Sequence, residues 1–183
     1  MPITERLALQ NNVLRTLLAL NRMEAEYNQI GKGGLEAYYL TNLLGNPYDS
    51  TVMIANLMFS GLLEELPSLK LCVAHGGGFA PYQIGRLEHG HRVRPETQAN
   101  TQTAPSELLR GLFFDTLTFN PGALRYLTDL VGAERIALGS DAPFDMGDED
   151  PLATVEAVPG LTSEERDAIS SGTALELIGE EDA

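Results

Sequence analysis

Cationic residues are scarce in this sequence. Twelve lysines and arginines stand against 26 aspartates and glutamates, a formal net charge of −14. Nucleic acid and anionic membrane surfaces both reward a basic patch, so neither is expected as the main partner. Cysteine is nearly absent. The single Cys72 permits no internal disulfide, and its place in the apolar run Leu71–Ala74 predicts a small core residue. The start of the chain lacks a basic stretch followed by an apolar one, so no signal peptide is expected. With one unpaired thiol this predicts a cytoplasmic protein. No run approaches the roughly 20 apolar residues of a membrane helix. Histidine is limited to three, and none lies between Met1 and Ala37.

What is present is enough for one domain with a real core: 183 residues, 43% of them hydrophobic. Leu7, Leu14, Leu17, Leu18 and Met23 recur near helical spacing and predict a helix over Thr4–Ile30, ended by Gly31, Gly33 and Gly34. A second helix is expected from about Ser50 to Leu66. Asp49 or Ser50 would cap it, Val52, Ala55, Phe59 and Leu62 would form its buried stripe, and Pro67 would stop it. Apolar runs at Leu69–Ala74, Leu112–Leu117 and Arg135–Gly139 read as strands. Helical patterns follow at Ala123–Val131 and Ser163–Ile178. Strands without alternation, each followed by a helix, predict a parallel sheet with helical crossovers, an α/β fold.

In such folds functional groups sit just past the carboxyl ends of the strands. His75 leaves the first strand there, followed by Gly76, Gly77 and Gly78, which permit a tight turn and close approach of a ligand. Asp141 leaves the third strand in "IALGSDAPF". A histidine and an aspartate at neighbouring strand ends suit a divalent metal, while a capped turn would explain either residue equally. Asp145, Asp148, Glu149 and Asp150 miss the calcium-loop spacing and read as a solvated acidic loop. Arg86, Arg92 and Arg94 fall within nine residues. Their guanidinium groups suit a carboxylate, or pair with Glu88 and Glu96 on the surface. His89 and His91 follow a helical stretch, where i and i+2 diverge, so no metal role is expected. Asp115, in the second strand, is either catalytic or a buried structural acid.

The stretches "YYLTNLLGNP", "LKLCVAHGGGFAPYQIGRLEHG", "RVRPE", "FFDTL" and "IALGSDAPFDMGDEDP" together resemble the amidohydrolase-related group around aminocarboxymuconate-semialdehyde decarboxylase. The likeness runs from Ala37 to about Gly179. It implies a (β/α)8 barrel with one divalent metal, commonly zinc, in which the three strands here are the sixth, seventh and eighth. By that likeness Asp141 is a metal ligand, His75 the catalytic histidine that activates water at the metal, and Arg86 a contact for the substrate carboxylate, in some members across a subunit interface. The family's His-x-His pair and fifth-strand histidine have no counterpart, and Thr173 stands where the family often has asparagine. A full barrel takes roughly 250 residues.

The expected architecture is therefore one domain over residues 1–183. A divergent N-terminal helix occupies 1–36, and a partial (β/α)8 barrel, about strands six to eight with their helices, occupies 37–179. The function implied is non-oxidative decarboxylation of a small unsaturated or aromatic carboxylic acid. A hydrolase or hydratase of the same superfamily, or a non-catalytic half-barrel serving as an interaction module, remains open. A half-barrel leaves open sheet edges and apolar helix faces, which predicts either a homo-oligomer or poor solubility.

Overall fold

The computed structural model describes residues 34–179. The helix expected over Thr4–Ile30 lies outside them. A π-helical turn, Thr41–Gly45, runs directly into helix α1, Asn46–Phe59. Pro47 marks that start, because proline has the helical φ already and the first turn needs no amide from it. Asp49 and Ser50 are thus not caps. They sit inside the first turn, where the Asp49 carboxylate favours the positive end of the helix.

The buried stripe of α1 is Ile54, Leu57 and Met58, not Val52, Ala55 and Phe59. The Phe79 amide donates to Thr51 Oγ1 at 2.7 Å, which draws the start of α1 against the His75–Gly78 turn and rolls Ile54 toward the core. Nor does one helix continue to Leu66. Gly61 adopts φ +78 and separates a short α2, Leu62–Glu65. A side chain at Gly61 would strike the Asn100 carbonyl, so the break is also where another loop passes closely.

Strand β1, Cys72–Val73, leads through the His75 turn into α3, Ala80–Val93. Next come α4, Pro105–Arg110, and β2, Phe113–Asp115. Asn120 caps α5, Pro121–Val131, by accepting from the Gly122 and Ala123 amides. After β3, Ile136–Ala137, follow α6, Pro151–Glu156, and α7, Ser163–Asp167, which a capping box of Thr162 and Glu165 starts. A π-helical turn, Ala168–Gly172, joins α7 to α8, Thr173–Ile178.

The three strands are parallel and pair in the order β1–β2–β3. Cys72 lies opposite Phe113, and Phe114 pairs with both Val73 and Ile136. Each strand is shorter than its apolar run. Past Ala137 the Leu138 amide turns away from the sheet to the Ile169 carbonyl at 2.9 Å, so the third run ends against a helix instead of a strand. The core gathers Ile54, Met58, Val73, Phe114, Leu124 and Ile136 around the sheet. Cys72 is not part of it. Among the described residues β1 is an edge strand, alternating outward and inward, so Cys72 is exposed and Val73 is buried.

Candidate active site

The cavity opens where all three strands end. Its volume is about 590 Å³. His75 enters it after β1, Leu117 and Phe119 after β2, and Asp141 and Met146 after β3. Asn42, Leu43 and Pro47 close another side, and Phe79 and Tyr126 add aromatic wall.

His75 sits at φ +60, a left-handed conformation rare for a residue with a side chain. Asp115 holds it there. One carboxylate oxygen accepts the His75 amide at 3.0 Å, and the other accepts the amides of Gly76 at 2.7 Å and Leu117 at 3.1 Å. The carboxylate thus crosses from the end of β2 to the turn after β1. Burial pushes its pKa up, and the three amide bonds and His75 oppose that shift. Of the two readings the sequence left open for Asp115, this geometry is that of the structural acid, here partly buried.

The glycines are required by protein contacts. A Cβ on Gly77, at φ +79, would lie 2.7 Å from the Phe114 ring, and one on Gly78, at φ +61, would collide with the Pro47 carbonyl. They let the turn press onto β2 and α1, and Gly76 and Gly78 also line the cavity.

Ser50 Oγ lies 3.3 Å from His75 Nδ1 and 3.3 Å from the Asn46 carbonyl. With its proton given to that carbonyl, the oxygen accepts from Nδ1–H, and Nε2 keeps its lone pair. Asp141 is at φ +57, and its backbone carbonyl accepts the Phe144 amide at 3.0 Å. The Asp148 amide reaches back to the Ser140 carbonyl at 2.8 Å, closing a compact loop between them.

The structure brings His75 and Asp141 to one cavity. It does not bring Arg86, which is exposed on α3 and absent from the cavity wall. His89 is exposed, while His91 lies 3.3 Å from the Thr101 carbonyl and stacks on Phe59. Arg94 pairs with Glu96 at 2.7 Å on the surface. The acidic loop is more structured than expected. Asp148 accepts from Thr154 at 3.0 Å, Asp150 caps α6 through the Ala153 amide, and Asp145 accepts the Tyr39 hydroxyl.

A metal finds few ligands here. Among the described residues no three histidine, cysteine, aspartate or glutamate side chains stand together to hold an ion. Zinc takes four ligands, or three and a water. His75 and Asp141 alone do not fit that need, and the Nδ1 nitrogen of His75 is already engaged by Ser50.

Sequence reasoning missed Ser50, taken there for a cap, along with Tyr39 and the aromatic walls. Phe119 was within reach of the strand-end rule, since it follows β2 as His75 follows β1. Ser50 lies on α1 and Tyr39 in the turn before the π-helix, segments that meet the strand ends only through tertiary packing.

The family model described as Amidohydrolase matches residues 27–179. A 2-amino-3-carboxymuconate-6-semialdehyde decarboxylase of Dictyostelium discoideum is 34% identical over 154 residues, 84% of this chain and 43% of that protein. The enzyme of the same name from Caenorhabditis elegans is 35% identical over 147 residues, 80% of this chain and 37% of its own. A dihydroxybenzoic acid decarboxylase from Polaromonas sp. JS666, solved with bound manganese and the inhibitor 2-nitroresorcinol, superposes with a TM-score of 0.65 at 23% identity. That match covers 75% of this chain and 42% of the other. The chain therefore spans less than half the length of the curated relatives it matches. Its fold is a fragment of the barrel those structures share.

Proposed function

The chain belongs to the amidohydrolase family, and from that premise we propose that its cavity is the strand-six-to-eight face of a decarboxylase site for a small unsaturated or aromatic carboxylic acid. The observation that carries this is the convergence of His75 and Asp141, from the ends of β1 and β3, on one cavity with apolar and aromatic walls. In decarboxylation the bond from carbon to carboxylate breaks and carbon dioxide leaves. The electron pair stays on carbon and a proton fills it. With Nδ1–H given to Ser50, His75 Nε2 is available to take up a proton from solvent and deliver it to that carbon. Asp115 aims the imidazole by holding the backbone beneath it.

By the resemblance Asp141 would be a metal ligand, and the Polaromonas neighbour was solved with bound manganese. Because the residues present do not complete a coordination set, no step of the proposal runs through a metal. In this reading Arg86, which does not line its own cavity, contacts the carboxylate held in a neighbouring subunit. A cytoplasmic setting is part of the same reading.

The test is carbon dioxide release from 2-amino-3-carboxymuconate-6-semialdehyde, with and without added manganese. We expect turnover by the wild type and a loss of at least about a hundredfold in His75→Asn, the usual scale for a positioned acid–base group. No release by the wild type under either condition overturns the reading.

A further inference from the structure

Two walls of the cavity come from segments far apart in sequence, and one side-chain bond spans them. The Tyr39 hydroxyl donates to both carboxylate oxygens of Asp145, at 2.9 and 3.0 Å, across 106 residues of chain. Each partner is tied by backbone to cavity-lining residues. The Tyr39 carbonyl accepts the amides of Asn42 and Leu43, both at 3.0 Å. Asp145 sits at the tip of the loop that carries Asp141 and Met146. That loop is braced by the bonds from Phe144 to Asp141, Gly147 to Phe144 and Asp148 to Ser140. Tyr38 and Tyr39 both adopt left-handed backbone, at φ +57 and +60, as does Asp141 at +57. Residues with side chains hold such conformations only where their surroundings over-determine them. Among the described residues the Tyr39 hydroxyl and the Asp145 carboxylate have no other hydrogen-bond partner.

We propose that Tyr39 and Asp145 are positioning residues that fix the gap between the Asn42–Leu43 wall and the Asp141–Met146 wall, and so set how tightly a planar ligand is held beside Asp141. The bond acts through the walls and touches no ligand. For its binding arm the inference rests on the decarboxylase reading of the cavity. Its backbone arm does not.

The experiment uses the whole chain and 2-nitroresorcinol as the probe. Tyr39→Phe keeps the ring and removes the donor. Asp145→Ala removes the acceptor, and Asp145→Asn keeps an acceptor oxygen. We expect Tyr39→Phe and Asp145→Ala each to weaken probe binding about fivefold, the scale of one exposed hydrogen bond. The double variant should be no weaker than either single one, and Asp145→Asn should bind like the wild type. Hydrogen exchange at the Phe144, Gly147 and Asp148 amides should quicken in Tyr39→Phe, with the melting temperature of the whole protein unchanged. Additive losses, or wild-type affinity in Tyr39→Phe, overturn the proposal. If the wild type does not bind the probe, the decarboxylase reading is what fails. The exchange rates then decide alone: quickened exchange supports the positioning role, and unchanged exchange overturns it.

Discussion

At the scale of single residues, the site depends on a carboxylate that faces no substrate. Asp115 satisfies three amides of two separate turns. Deleting its side chain leaves those amides without their acceptor in a largely closed space, which costs about 2 kcal/mol by the usual range for such groups. Asp115→Ala should lose that stability in urea unfolding, and Asp115→Asn less. The pH dependence has a definite sign. Burial raises the carboxyl pKa in the folded protein above its ordinary 3.8, so protonation favours the fold. This stabilising contribution is full below pH 3.8 and is lost as the pH rises through the raised value. The margin of the wild type over Asp115→Asn should therefore be widest in acid and narrow toward neutrality, read from urea midpoints at several pH values. The convergence of His75 and Asp141 on one cavity was legible from their places at strand ends. The support beneath His75 was not, because an aspartate forty residues away gives no local sign of which amides it will meet.

Among the elements, the parallel strands were readable because a buried sheet needs uninterrupted apolar runs, as at Leu112–Leu117. The helix ends were less so. Asp49 and Ser50 are good cap residues, yet Pro47 was the stronger signal, and the helix begins before it. Gly61, inside the single helix expected from Ser50 to Leu66, is the boundary between α1 and α2. What α2 does was also hidden. Its Glu64 accepts the Thr101 hydroxyl at 2.7 Å and the amides of Gln102 and Thr103 at 3.2 and 2.9 Å, tying down the loop before α4. Those bonds, the Thr101 hydroxyl first, lower its pKa from 4.5 to about 2. A lowered folded value means that the tie is present above pH 4.5 and lost as the pH falls through about 2. The Gln102 and Thr103 amides should thus keep their protection from exchange at pH 3 in the wild type and lose it in Glu64→Ala. Equal exchange in the two proteins would show that the tie does not hold the loop.

For the whole molecule, the question is what an incomplete barrel does with its open sides. Among the described residues the sheet has two edges, β1 and β3. Large apolar side chains also stand in solvent, with Tyr38 88% exposed, Tyr82 80%, Ile178 69% and Phe144 66%. Unpaired strand edges and apolar patches favour association, while a net charge of −14 opposes contact between copies. The balance should shift with ionic strength, since salt screens the repulsion and leaves apolar burial intact. Light scattering on the purified chain should therefore show a mass above 19.8 kDa that grows with added salt. A monomer at all salt concentrations would mean that these surfaces are not sticky. Partial barrel architecture was legible from the strand–helix order and the motif likeness. The shape of the cavity was not, since its walls join residues 42–47, 75–82, 117–127 and 141–146.

The strand order has a consequence for the history of the molecule during its synthesis. Because β1, β2 and β3 pair in the order in which they are made, each unit docks on a surface already finished, and translation can lay the sheet down from one side to the other. The His75 turn is the exception. Its backbone leaves the ribosome forty residues before the Asp115 carboxylate that holds it, so the nascent chain carries that turn unlatched until β2 emerges. The acid–base residue of the proposed site is thus set in place by the arrival of the next strand, and only later does the third bring Asp141 to face it.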